Sequence, residues 1–138
     1  MRITSSGDVG IGTSSPASKL DVVGHINTTT HYSIGSSRVL SNGGSNNLFA
    51  GVGTGTITTG NNNSFFGWNV GPVNGVGANN SFFGAQTGFV NTGGENSFFG
   101  RLAGWRNTSG SSNAFFGVEA GDFNTMGSGN SSFGAFAG

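Results

Sequence analysis

Residues 96–110 read Asn96-Ser-Phe-Phe-Gly100-Arg-Leu-Ala-Gly104-Trp-Arg-Asn107-Thr-Ser-Gly110, and the chain writes this pattern six times. The openings are Asn47-Leu-Phe-Ala-Gly51, Asn63-Ser-Phe-Phe-Gly67, Asn80-Ser-Phe-Phe-Gly84, Asn96-Ser-Phe-Phe-Gly100, Asn113-Ala-Phe-Phe-Gly117 and Asn130-Ser-Ser-Phe-Gly134. Successive Asn residues lie 16, 17, 16, 17 and 17 apart. A second Gly follows four residues after the first, at Gly55, Gly71, Gly88, Gly104, Gly121 and Gly138. Three residues later four copies carry Asn (Asn74, Asn91, Asn107 and Asn124), where the first copy has Thr58. Ten of the 13 Phe fall in the opening motif, so the repeat absorbs most of the large apolar residues.

This period excludes a helix-pair repeat, which takes more than about 30 residues. The copies also lack helical spacing, and each Gly would cost a helix about 1 kcal/mol. Ser-Phe-Phe suits a short strand, and the Gly and Asn positions suit corners where positive φ is needed. The fold class read from this pattern is all-β. One copy is one coil of a parallel β-solenoid, with coils stacked about 4.8 Å apart. Stacking sets identical side chains over one another. The Asn column (Asn47, Asn63, Asn80, Asn96, Asn113, Asn130) is expected to form an amide ladder, and the Phe columns a spine of rings.

Neighbours on a strand point to opposite faces. If Phe65 fills its coil, Phe66 faces out, and the same holds for Phe83, Phe99, Phe116 and Phe133. An exposed Phe column on a monomer is a large apolar patch. Residues 39–94 contain no charge at all, and a 16–17-residue coil encloses little apolar material. The expectation is an obligate oligomer with its axis along the solenoid. The alternative keeps both rings inside, one of them under a loop of the same chain.

Composition sharpens these exclusions. Gly, Ser, Asn and Thr make up 77 of 138 residues, charged residues 7%, and the formal net charge is zero. That balance gives no basic stripe for nucleic acid and no charge-driven disorder. The absence of Cys excludes disulfides and thiolate metal sites. No apolar run is long enough to span a membrane. Collagen is excluded, because there are only two Pro and no three-residue Gly period.

Residues 1–46 lie outside the repeat and form a β-rich connector segment; residues 47–138 form the six-copy head, its last copy incomplete. Strands are expected over Gly7–Thr13 and Lys19–Ile26, and as a pair around Tyr32-Ile34 and Val39-Leu40 broken at Gly35-Ser-Ser37. A Thr-rich turn separates His25 from His31, and Ser41–Asn47 reads as a linker.

Val9-Gly-Ile-Gly-Thr-Ser-Ser-Pro-Ala-Ser-Lys-Leu-Asp-Val-Val-Gly24 resembles the VGIGTTSP-KLDV signature of fibre proteins, found in phage tail fibres and bacterial surface adhesins. Tyr32-Ser-Ile-Gly-Ser-Ser-Arg-Val-Leu-Ser41 is similar to the segment that often follows it. Asn96–Gly110 resembles the NTFxGxxAGxxNTTG head repeats of the same proteins and, more distantly, the heads of trimeric autotransporter adhesins. The resemblance implies a homotrimer, a parallel β-roll head, and a place outside the cell, on the cell surface or on a virion tail. It also implies attachment to a host or prey surface, with a glycan or cell-surface receptor as partner. Ala50 and Ser132 depart from the Phe-Phe pattern, so both end coils are atypical, as capping coils tend to be. More repeats, a tip domain or another fibre unit is expected after Gly138.

Sites of chemistry are sparse. His25 and His31 have only Asp8 and Asp21 as nearby acids, so no metal or catalytic role is expected. The five acids (Asp8, Asp21, Glu95, Glu119, Asp122) show no obvious pair, and Glu119 and Asp122 flank a corner, which argues against a glycosidase. No cofactor and no catalysis are expected. The Gly-x-Gly stretches lack a following helix and read as corners. Sequons at Asn27, Asn62, Asn79, Asn107 and Asn130 follow from composition. The variable slots hold Trp68, Gln86, Phe89, Arg101, Trp105, Arg106, Glu119, Asp122 and Phe123. These side chains either stack on the next coil, the favoured reading, or meet a partner. Arg101, Trp105 and Arg106 are the best contact patch. A second functional reading is a self-assembling filament subunit without dedicated ligand binding, and a third is a polysaccharide-degrading tailspike.

Overall fold

A computed structural model describes residues 1–26 and 31–138, and every regular element among them is a β-strand. Three short strands open the chain: β1 (Arg2–Ile3), β2 (Val9–Ile11) and β3 (Leu20–Val22). β1 runs antiparallel to β2, which runs parallel to β3. Lys19 fastens this sheet by donating to Asp8 Oδ1 at 2.6 Å and to the Ser6 carbonyl at 2.9 Å. β1 was not anticipated from sequence. The Thr-rich turn and the Asn27 sequon fall outside the described residues.

A hairpin follows, β4 (His31–Ile34) and β5 (Ser37–Ser41), turning through Gly35 at φ 60°. Each repeat then contributes one three-residue strand: β6 (Leu48–Ala50), β7 (Ser64–Phe66), β8 (Ser81–Phe83), β9 (Ser97–Phe99), β10 (Ala114–Phe116) and β11 (Ser131–Phe133). β6 to β11 are parallel and in perfect repeat register, Phe65 on Phe82 on Phe98 on Phe115. They form a parallel β-solenoid with one copy per turn. β5 pairs antiparallel with β6, so the hairpin covers the first coil's strand edge and the sheet runs from β4 to β11 without a break. Covering an edge in this way removes a row of unpaired backbone groups.

The core is one ring wide. Phe49, Phe65, Phe82, Phe98 and Phe115 are fully buried and stack at centroid separations of 4.7 to 5.0 Å. Each ring is worth about 1.5–3 kcal/mol of burial. The opposite wall must come very close to reach such a thin core, and the second Gly of each copy allows it. A Cβ added at Gly71 would lie 2.6 Å from a Phe65 ring carbon, and one at Gly104 would strike the Phe98 ring. In the first five copies these glycines also hold φ between 47° and 62°, which strains any side chain. Buried Thr54, Val70, Thr87, Ala103 and Ala120 fill the space beside them.

Beside the Phe stack runs a buried amide network. In the Asn47–Asn130 column the side-chain oxygen accepts the next coil's backbone N–H; Asn80 Oδ1 takes that of Asn96 at 2.9 Å. Its Nδ2 donates to the Gly carbonyl near the close of the same copy, as Asn96 does to Gly110 at 2.9 Å. The expected amide-to-amide ladder instead occupies the second Asn column. There Asn91 donates to Asn74, Asn107 to Asn91, and Asn124 to Asn107, at 2.6 to 2.9 Å. The columns are cross-linked, for example by Asn96 Nδ2 to Asn91 Oδ1 at 3.1 Å. Asn is the residue that supplies a donor and an acceptor at once on a short stem. The bonds to Asn backbone N–H groups and those between amides join one coil to the next.

Candidate functional site

The outward positions form the most extended surface feature. Cross-strand partners share a face of the sheet. Register therefore aligns Tyr32, Leu40, Ala50, Phe66, Phe83, Phe99, Phe116 and Phe133 in one row across eight strands. The five outer Phe stack on one another at 4.7 to 5.0 Å with rings within 7° of parallel. Stacking half-buries the middle rings, and Phe133 at the end is 67% exposed. Thus the Phe-Phe pair splits between a fully buried inner ring and an outer ring on the opposite face that is only half-buried. At the hairpin end of the row a hollow of about 400 Å³ opens among residues including Tyr32, Leu40, Asn42 and Leu48. Trp68, 56% exposed, lies two residues after Phe66, past the Gly67 corner.

The slots picked from sequence divide into two groups. Arg101 does not act with Trp105 and Arg106; its guanidinium reaches Glu119 Oε1 of the next coil at 2.6 Å. Trp105, Arg106, Asp122 and Phe123 do come together, with Phe89 beneath. The Arg106 guanidinium lies 5.1 Å from the Trp105 ring centre and 4.7 Å from that of Phe123. Asp122 Oδ2 is 3.8 Å from Arg106, too far for a hydrogen bond. Phe89 packs tilted on Trp105 at 6.1 Å. Much of what the slots hold therefore stacks on the neighbouring coil, while Phe123 stays 74% exposed.

The acids are accounted for individually. Asp8 is held below the ordinary carboxylate range by the Lys19 ammonium and the Ser6 hydroxyl. Asp21 accepts the Ala17 N–H, and Glu95 accepts the Ser112 hydroxyl. Glu119 and Asp122 each face a different arginine rather than one another. Among the described residues no three His, Asp or Glu side chains gather as a metal set, and no helix is long and apolar enough to cross a membrane.

Sequence reasoning passed over three features. One is the positive φ of the residue before each coil's Asn, where Asn46, Asn62 and Asn79 also form an exposed amide run. The Asn-Asn doublets were its signal. The second is Thr58, whose buried hydroxyl has no partner. The third is the apolar strip of Ile57, Val73 and Val90, which ends at Arg106 and Phe123. No protein family, curated protein or solved structure matches this chain.

Proposed function

We propose that this chain is a structural and recognition segment of a homotrimeric extracellular fibre, an adhesin or a tail fibre, that attaches to a host or prey surface. The outer aromatic row carries this reading. A straight ladder of five Phe, continued by Leu40 and Tyr32, is a surface that water disfavours. Copies of the same chain match it best, because their rows repeat at the same coil height. Three rows meeting at a common axis bury one another and leave the remaining faces outward. Uncharged residues 39–94 belong with such contact, and the charged side chains of coils four and five belong with free surface. The resemblance of the 9–24 and 32–41 segments to fibre proteins points the same way. Neither a cofactor nor a catalytic step enters the reading.

The concentration dependence of melting tests it. An obligate oligomer couples folding to assembly, so its Tm rises with protein concentration. Tm measured across a hundredfold range is expected to climb by several degrees. A Tm that stays constant over that range contradicts the reading.

A further inference from the structure

We propose that Trp105, Arg106, Asp122 and Phe123 form a binding facet for a neutral sugar ring, a proposal that rests on the attachment role above. The first support is bonding capacity. The Arg106 guanidinium and the Asp122 carboxylate face each other at 3.8 Å without a hydrogen bond. The Asp122 side chain is only 14% exposed, and its Oδ1 is buried with no partner. Trp105 Nε1–H, at the equivalent position one coil earlier, is likewise buried and unpartnered. Buried polar groups are nearly always bonded, and two unmet ones on consecutive coils mark a place prepared for a further group. The facet thus offers a donor on the part-exposed Arg106 guanidinium and an acceptor on the Asp122 carboxylate, whose Oδ2 faces it.

The second support is shape. Arg106 is sandwiched between two rings, which fixes its fork, and the exposed Phe123 ring offers a flat apolar platform beside it. A pyranose needs this combination. Its axial C–H face packs on an aromatic ring, and each of its hydroxyls both donates and accepts. One hydroxyl placed between Arg106 and Asp122 accepts from the guanidinium and donates to the carboxylate. Because the cation and anion stand together, the facet carries no net charge, which favours neutral over acidic sugars.

The test uses the whole purified chain in a Trp68→Phe background, so that Trp105 alone reports. Neutral pentaoses of glucose, mannose and N-acetylglucosamine are titrated, with a polygalacturonate oligomer as the acidic arm. Saturable change in Trp105 emission with at least one neutral pentaose is expected. Phe123→Ala is expected to weaken it about tenfold, as the loss of one ring contact does, and Arg106→Gln by at least as much. Phe123 is mostly exposed, so its removal leaves the fold intact, which circular dichroism checks. No saturable change with any neutral pentaose overturns the proposal. So does binding only to the acidic oligomer, or binding that both variants leave unchanged. A chain whose melting depends on concentration but which ignores every sugar loses this facet and keeps the fibre reading.

Discussion

Changing Asn96 to Asp replaces one nitrogen by oxygen in the driest part of the molecule. Asn96 is fully buried. Its Oδ1 accepts the Asn113 N–H at 2.9 Å, and its Nδ2 donates to Asn91 Oδ1 and to the Gly110 carbonyl. The aspartate keeps the acceptor but sets a charged oxygen against two other oxygens. A buried charge stripped of its partner costs about 3–5 kcal/mol, a large share of the roughly 5–15 kcal/mol that holds a domain folded. Protonation relieves it, because a carboxyl O–H donates to one of the two oxygens. The folded carboxyl is therefore raised above its unfolded value of about 3.9. Stability relative to the parent is least impaired below about pH 4 and falls by about 1.4 kcal/mol per pH unit as pH rises towards the folded value. Urea unfolding of both proteins at one concentration, at pH 3.5 and pH 7, reads the difference. Asn96→Ala gives a reference of about 2–3 kcal/mol without pH dependence, since Asn107 still satisfies Asn91 and Gly110 and only the Asn113 N–H is orphaned. A loss below about 1 kcal/mol for Asn96→Asp at pH 7, or one independent of pH, would refute the interlocked amide network.

Gly104→Ala drives a Cβ into the Phe98 ring at φ 58°, whereas Gly129 has φ 70° and open space around it. The first change is expected to cost about 2–4 kcal/mol and Gly129→Ala about 1 kcal/mol, both read by denaturant midpoint. Thr58→Asn supplies the missing rung: Asn74 Nδ2 donates only to Gly77, and Thr58 Oγ1 bonds nothing. It should raise stability by about 1 kcal/mol, and a destabilised variant would show that the first coil departs from the others. Asp8 has its pKa lowered chiefly by Lys19, so its contribution is present above the ordinary carboxylate range and is lost as pH falls through the depressed value. Amide exchange in β1 to β3 is expected to quicken in that acid window, and Asp8→Asn should abolish the effect.

The repeat made the solenoid legible because translation along the axis leaves each residue facing its own copy, so spacing alone sets register. Phe65 and Phe66 could be sorted to opposite faces by strand alternation, and they were. The hydrogen-bond scheme was less visible. Asn63 and Asn74 look alike in sequence and both donate to the Gly77 carbonyl, yet Asn63 Oδ1 accepts a backbone N–H while Asn74 Oδ1 accepts two side-chain amides. The edge cover formed by β5 on β6 was also hidden, since a three-residue strand carries too little periodicity to announce its partner. At the contact patch Arg101 and Arg106 are neighbours in sequence but stand on either side of the Gly104 corner. Each finds an acid one coil along, at Glu119 and Asp122, a pairing that becomes visible only once the 17-residue step between those coils is laid out in space.

The outer Phe row is the feature on which the functional account turns, and sedimentation equilibrium of the purified chain examines it most directly. The account predicts a mass three times the 13.8 kDa of one chain, with Phe99→Asp shifting it towards the single-chain mass. A folded monomer at micromolar concentration would contradict it.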